Sequence, residues 1–206
     1  MDFITHSYKH ADAIFAQHKY KEQWAEINDA IKAISDEDLK KGYSVSTNTK
    51  SLSNALNRLL SKELTSRGWK PEAQIFHGPI HGSSKKESVW RLDFAKKDIS
   101  IEVSFNHGEA IAWNLIKPTI ASEFNHVDKA IQTQLAVVIF ATEAFKKVGG
   151  FDSAVGSFEK AITYLEPLNF LLNVPIMLIG LLPPKTFKMN VVKEGIKKRG
   201  HITELK

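Results

Sequence analysis

A chain of 206 residues is long enough for one domain with a full core, and without cysteine it can form no disulfide, thiolate metal site or cysteine nucleophile. Its 43% hydrophobic and 25% charged residues exclude a disordered or fibrous protein. A net charge of +5 and a pI of about 9.2 favour a polyanionic partner without requiring one.

The N-terminal MDFITHSYKH lacks the apolar run of a signal peptide. Residues 10–34 then have helical periodicity, with Ile14, Trp24, Ile27, Ile31 and Ile34 on one stripe and a break near His18. Ser35 followed by Asp36, Glu37 and Asp38 reads as an N-cap with an acidic first turn, opening a short helix that ends by Gly42. Residues 49–66 form another helix on Leu52, Leu56, Leu59, Leu60 and Leu64, stopped by Gly68. Residues 69–76 are a weak strand, and residues 77–88 a loop by composition. Strands are expected over 89–94 and 99–105, and a helix over 109–124 that Pro118 kinks or splits. The apolar run LAVVIF (135–140) is a central strand, 142–148 a short helix, 149–157 a Gly-rich loop and 158–165 a helix. The stretch LNFLLNVPIMLIGLLPP (168–184) is broken by Asn169, Asn173 and Pro175 and is too short to span a bilayer, so 175–182 is the last strand. Residues 184–206 read as a basic tail: from Lys185 onward it has seven Lys/Arg and two Glu. The whole, 1–206, is expected to be a single α/β (α+β mixed) domain, a central mixed sheet flanked by helices, located in the cytoplasm with no membrane partner.

The chemistry concentrates in LDFAKKDISIEVSF (92–105). At period two, Ile99, Ile101, Val103 and Phe105 share one strand face, and Ser100, Glu102 and Ser104 share the other. The turn at 95–98 folds the chain back and brings Asp93 near Glu102. Two carboxylates that close repel unless a cation sits between them, and an oxygen site of this kind suits Mg²⁺. On an exposed hairpin the same pair is simply solvated, so the spacing alone leaves both outcomes open.

An acidic residue followed, on the next strand, by acidic–any–third residue resembles the core of the PD-(D/E)xK nuclease superfamily. The likeness extends along the chain. YKHADAIF (8–15), KELTSRGWK (62–70), LDFAKKDISIEVSF and NVPIMLIGLLP (173–183) together resemble type II restriction endonucleases of the BglII/BstYI-like group, with BamHI more distant. That resemblance implies a restriction-endonuclease-like fold and a homodimer that hydrolyses phosphodiester bonds of double-stranded DNA with Mg²⁺, at a short palindrome with a GATC core. It assigns Asp93 and Glu102 to the metal, with the Val103 carbonyl as a third oxygen, and Glu72 to the attacking water or the metal. Ser104 departs from the pattern, because the superfamily usually has Lys there and the nearer relatives Gln or Glu. Serine orients water but is a poor base. Either Ser104 orients a water activated by the metal, or a neighbour such as Glu72 or Lys97 substitutes, or the chain is a weak or inactive DNA binder on the same fold. Another nuclease of the superfamily, such as a repair nuclease, is the further alternative.

The resemblance also nominates DNA-contacting residues: Asn106 and His107 after the second strand, Lys117 on the following helix, and Asp152, Ser153 and Ser157 in the Gly-rich loop. Read from composition alone, Asn106, His107 and Gly108 are equally a turn and helix cap.

Overall fold

The structure, a computed structural model, describes residues 1–45, 49–77, 90–123 and 129–205. It opens with a strand that periodicity missed: the polar FITHSY is β1 (Phe3–Tyr8). Helices α1 (Ala11–Phe15) and α2 (His18–Lys32) follow, with the break where His18 suggested it. Helix α3 (Asp36–Ser44) carries the expected Ser35 cap as a reciprocal box with Asp38, and it continues two residues past Gly42. Then come α4 (Ser53–Ser66), β2 (Lys70–Gln74), β3 (Arg91–Lys96), β4 (Ile99–Ser104) and α5 (Ala110–Ser122). The chain ends with β5 (Leu135–Ala141), α6 (Glu143–Val148), α7 (Phe158–Leu165), β6 (Ile176–Leu181), β7 (Phe187–Glu194) and β8 (Lys197–Glu204). All of the loop expected over 77–88 except His77 lies outside the described residues.

Six strands form one mixed sheet in the order β1-β6-β5-β4-β3-β2. The central β4, β5 and β6 are mutually parallel, and the outer pairs are antiparallel. Strands β5 and β6 are buried along their whole length, which explains why their sequences do not alternate. One face packs Ile101, Val137, Ile139 and Ile179 against α1–α4 through Phe15, Ile27, Ile31, Leu56 and Leu60. The other packs Val138, Phe140 and Leu178 against Ile111 and Leu115 of α5 and Phe158 and Ala161 of α7. Pro118 neither splits nor ends α5. It forfeits one backbone hydrogen bond, but Ile111, Leu115, Pro118 and Ala121 are all buried, and that burial holds the helix through it.

The basic end is not a solvated tail. Strands β7 and β8 pair antiparallel over their full length through a turn that begins at Gly195, whose φ of 64° is the left-handed value glycine adopts freely. Phe187 and Met189 are buried in the larger core, and the Tyr43 hydroxyl donates to the Gly200 carbonyl at 2.7 Å. Lys188, Lys193, Lys198 and Arg199 are exposed on it, so the charge that suggests a tail belongs to a docked hairpin.

Candidate functional site

The sequence around Asp93 folds so that the sheet comes apart there. Strand β3 pairs with β4 through Lys96–Ile99, Ala95–Ser100 and Phe94–Ile101, and the ladder stops short of Asp93. The Val103 N–H, left without a strand partner on that side, donates to the Asp93 carboxylate at 2.7 Å. On the other edge, Pro71 pairs with Phe94 and Ala73 with Leu92, so the interrupted positions between them are Glu72 and Asp93. Glu72 has φ of 50°, a left-handed conformation that costs a non-glycine residue about 1 kcal/mol. Its carboxylate pairs with Arg91 at 3.0 Å. Strand divergence on both sides of Asp93 therefore exposes a carboxylate that a regular ladder would have closed in.

Glu102 is on the opposite footing: it is 0% exposed. Burial pushes its carboxyl up to about 8, the Asp93 charge adds to the rise, and Lys117 opposes it. The Lys117 ammonium, on α5, forms an ion pair with one Glu102 oxygen and also donates to the Arg91 carbonyl at 3.3 Å. The Lys117 ammonium is therefore the direct partner of the buried Glu102 carboxyl. Lys117, expected at a DNA groove, is thus buried at 7% exposure beneath the carboxylates, because α5 packs directly over β4. Ser104 shares the face of Glu102, as its spacing requires, but it is fully buried, and its hydroxyl accepts from the Asn114 side chain at 2.8 Å. It does not line the cleft.

That cleft, of about 910 Å³, is lined by Glu72, Asp93, Val103, Asn106, Asn114 and Lys117 on the sheet side. Its other wall is α4, through Asn57, Arg58, Ser61, Lys62 and Thr65. Sequence reasoning missed these, although the leucine stripe that assigns one face of α4 to the core leaves its polar face for a wall.

Two segments nominated separately as DNA readers form one platform. The Gly108 N–H donates to the Ala154 carbonyl at 2.7 Å, and the Gly156 N–H to the Asn106 carbonyl at 3.0 Å. His107 and Val155 form a bridge between them. Asn106, His107 and Ser153 are exposed there. The Asp152 carboxylate meets Lys50 at 2.9 Å and is pulled down to about 2, chiefly by that contact. Ser157 is a correction: it is 0% exposed and caps α7, accepting from the Lys160 N–H at 3.2 Å. Ser157→Ala is expected to lower stability by about 1 kcal/mol in urea denaturation and leave DNA affinity unchanged.

A second groove, of about 460 Å³, lies between the hairpin and the α6 region and is lined by Lys50, Lys146, Lys147, Lys193 and Lys198. Among the described residues no cluster of three or more His, Asp or Glu side chains gathers to hold a metal, and no helix is long and apolar enough to cross a membrane. Asp93 and Glu102 do fit a hard divalent cation: both offer oxygens, Asp93 faces the cleft, and Mg²⁺ commonly takes one or two carboxylates and completes its shell with water.

A family model described as restriction endonuclease BglII/BglIII matches residues 3–181. Among solved structures, the chain is similar to the crystal structure of restriction endonuclease BglII complexed with a DNA 16-mer. That match has 19% identity and a TM-score of 0.67 over 100% of both chains. It is also similar to free BglII, at 18% identity and a TM-score of 0.58 over 100% of both chains. No curated protein matches it.

Proposed function

The chain belongs to the BglII/BglIII family of restriction endonucleases and is a site-specific deoxyribonuclease of type II, and from that premise we propose that Asp93 and Glu102 are its metal-holding catalytic carboxylates. The observation that carries this is the position of Asp93 at the break in the sheet, facing the cleft, beside the buried carboxyl of Glu102. A Mg²⁺ ion held there, with the Val103 carbonyl as a further oxygen, would polarise the scissile phosphate and stabilise the leaving oxygen. Glu72, opposite Asp93 and lining the same cleft, orients the attacking water in place of Ser104. Double-stranded DNA is the substrate, a reading supported by the similar BglII structure in complex with a DNA 16-mer. Asn106, His107 and Ser153 read its base edges. A homodimer meeting a palindrome with a GATC core completes the proposal, with a cytoplasmic location.

The lysine groove supplies phosphate contacts beyond the cleft. Removing two of them, in Lys193→Ala with Lys198→Ala, is expected to make the slope of log affinity against log salt shallower by about 2, with weaker binding at every sequence. An unchanged slope would remove the groove from the interface.

The test of the whole is digestion of unmethylated plasmid with Mg²⁺ or with EDTA, followed by sequencing of fragment ends. Discrete fragments that need Mg²⁺ and share one palindrome are expected. Intact DNA, or a random ladder, would refute it.

A further inference from the structure

Helix α5 puts an ammonium where the metal's charge would have to go. Lys117 reaches down from α5, 7% exposed, and touches both sides of the broken ladder: Glu102 on β4 and the Arg91 carbonyl on β3. A divalent cation shared by Asp93 and Glu102 would stand beside that ammonium, two like charges in a buried setting. The ion and the ammonium would compete for Glu102. Lysine also has the means to leave, with a flexible four-carbon stem on a residue that already lines the cleft. In the cleft the anion that DNA would bring to it is a phosphate.

We propose that Lys117 exchanges partners: it rests against Glu102 while no metal is bound, and it turns to a phosphate of the bound DNA when the metal takes Glu102. This rests on Asp93 and Glu102 being the metal site. Metal binding releases the lysine that DNA needs, so the two ligands assist each other through one side chain, and the assistance is reciprocal.

The experiment measures affinity for a linear duplex carrying the cleaved sequence, with Ca²⁺ in place of Mg²⁺ or with EDTA, for wild type, Lys117→Met and Asp93→Asn. Ca²⁺ is expected to tighten wild-type binding by about tenfold or more, and Lys117→Met by less than about threefold. Lys117→Gln, polar and of similar length, serves if methionine does not pack. Equal gains in wild type and the Lys117 variants, with no gain in Asp93→Asn, would overturn the exchange and leave the metal site standing. No Ca²⁺ gain in wild type would also overturn it. A full gain in Asp93→Asn would put the metal elsewhere, and the site assignment would fail with the exchange.

Discussion

Asp93→Asn is expected to lower cleavage by about 10³-fold or more while leaving the protein folded and able to bind DNA in EDTA. The two effects separate for a structural reason. Asp93 does two things: it presents a carboxylate to the cleft, and it accepts the Val103 N–H at 2.7 Å. Asparagine keeps an oxygen of the same reach and can still accept that hydrogen bond, so stability changes by less than about 1 kcal/mol. It loses the charge, and with it the attraction for a divalent cation. Asp93→Ala would confound the two, because the Val103 N–H would then be left without its acceptor. Cleavage rates and thermal melts of Asp93→Asn check both halves, and a variant that cuts within tenfold of wild type would remove Asp93 from the chemistry.

Ca²⁺ binding to the DNA-free protein is expected to tighten about tenfold per pH unit between pH 6 and pH 8 and to level off above, since one proton must leave Glu102 for each ion that binds. Glu102 is raised from 4.5 to about 8, first by burial, then by the Asp93 charge, against the pull of Lys117. Between 4.5 and about 8 the folded protein holds a proton on Glu102 that the unfolded chain has lost. The stabilising contribution is complete below 4.5 and is lost as pH rises through about 8. In EDTA this makes the wild type lose about 1 kcal/mol per pH unit across that window from this group. Glu102→Gln, which cannot titrate, is expected to show a shallower decline in melting temperature over the same range. Calorimetric titration of Ca²⁺ at several pH values, together with melts of the two proteins, measures both effects. A pH-independent affinity would mean that Glu102 is already ionised or does not hold the ion.

The carboxylate hairpin was legible because its signal is local. Period two places Glu102 and Ser104 on one face, and a short turn returns Asp93 beside them. What lies over that face was not legible, because it depends on how α5 packs after the crossover from β4 to β5. That packing turns Lys117 from a groove contact into the partner of Glu102 and buries Ser104 against Asn114. The same limit applies to Ser157, where a polar residue in a glycine-rich stretch suits a DNA loop and a helix cap equally well, and α7 makes it a cap. Strand β1 escaped notice because an edge strand with one partner has little need of apolar residues. The β7–β8 hairpin does alternate, with Phe187 and Met189 inward, but its lysines dominate the composition and concealed the period. Fold and family are carried by long apolar runs and an ordered set of short matches. The site's inner wiring is carried by contacts between elements far apart in the chain, such as Asp152 with Lys50.

The most direct test of the carboxylate pair is to grow crystals with Mn²⁺ and a DNA duplex and locate the ion by its anomalous scattering. Mn²⁺ is expected to bond to a carboxylate oxygen of Asp93 and one of Glu102, at about 2.0–2.3 Å, with the Val103 carbonyl in reach. An ion bound elsewhere in the cleft, touching neither carboxylate, would contradict it.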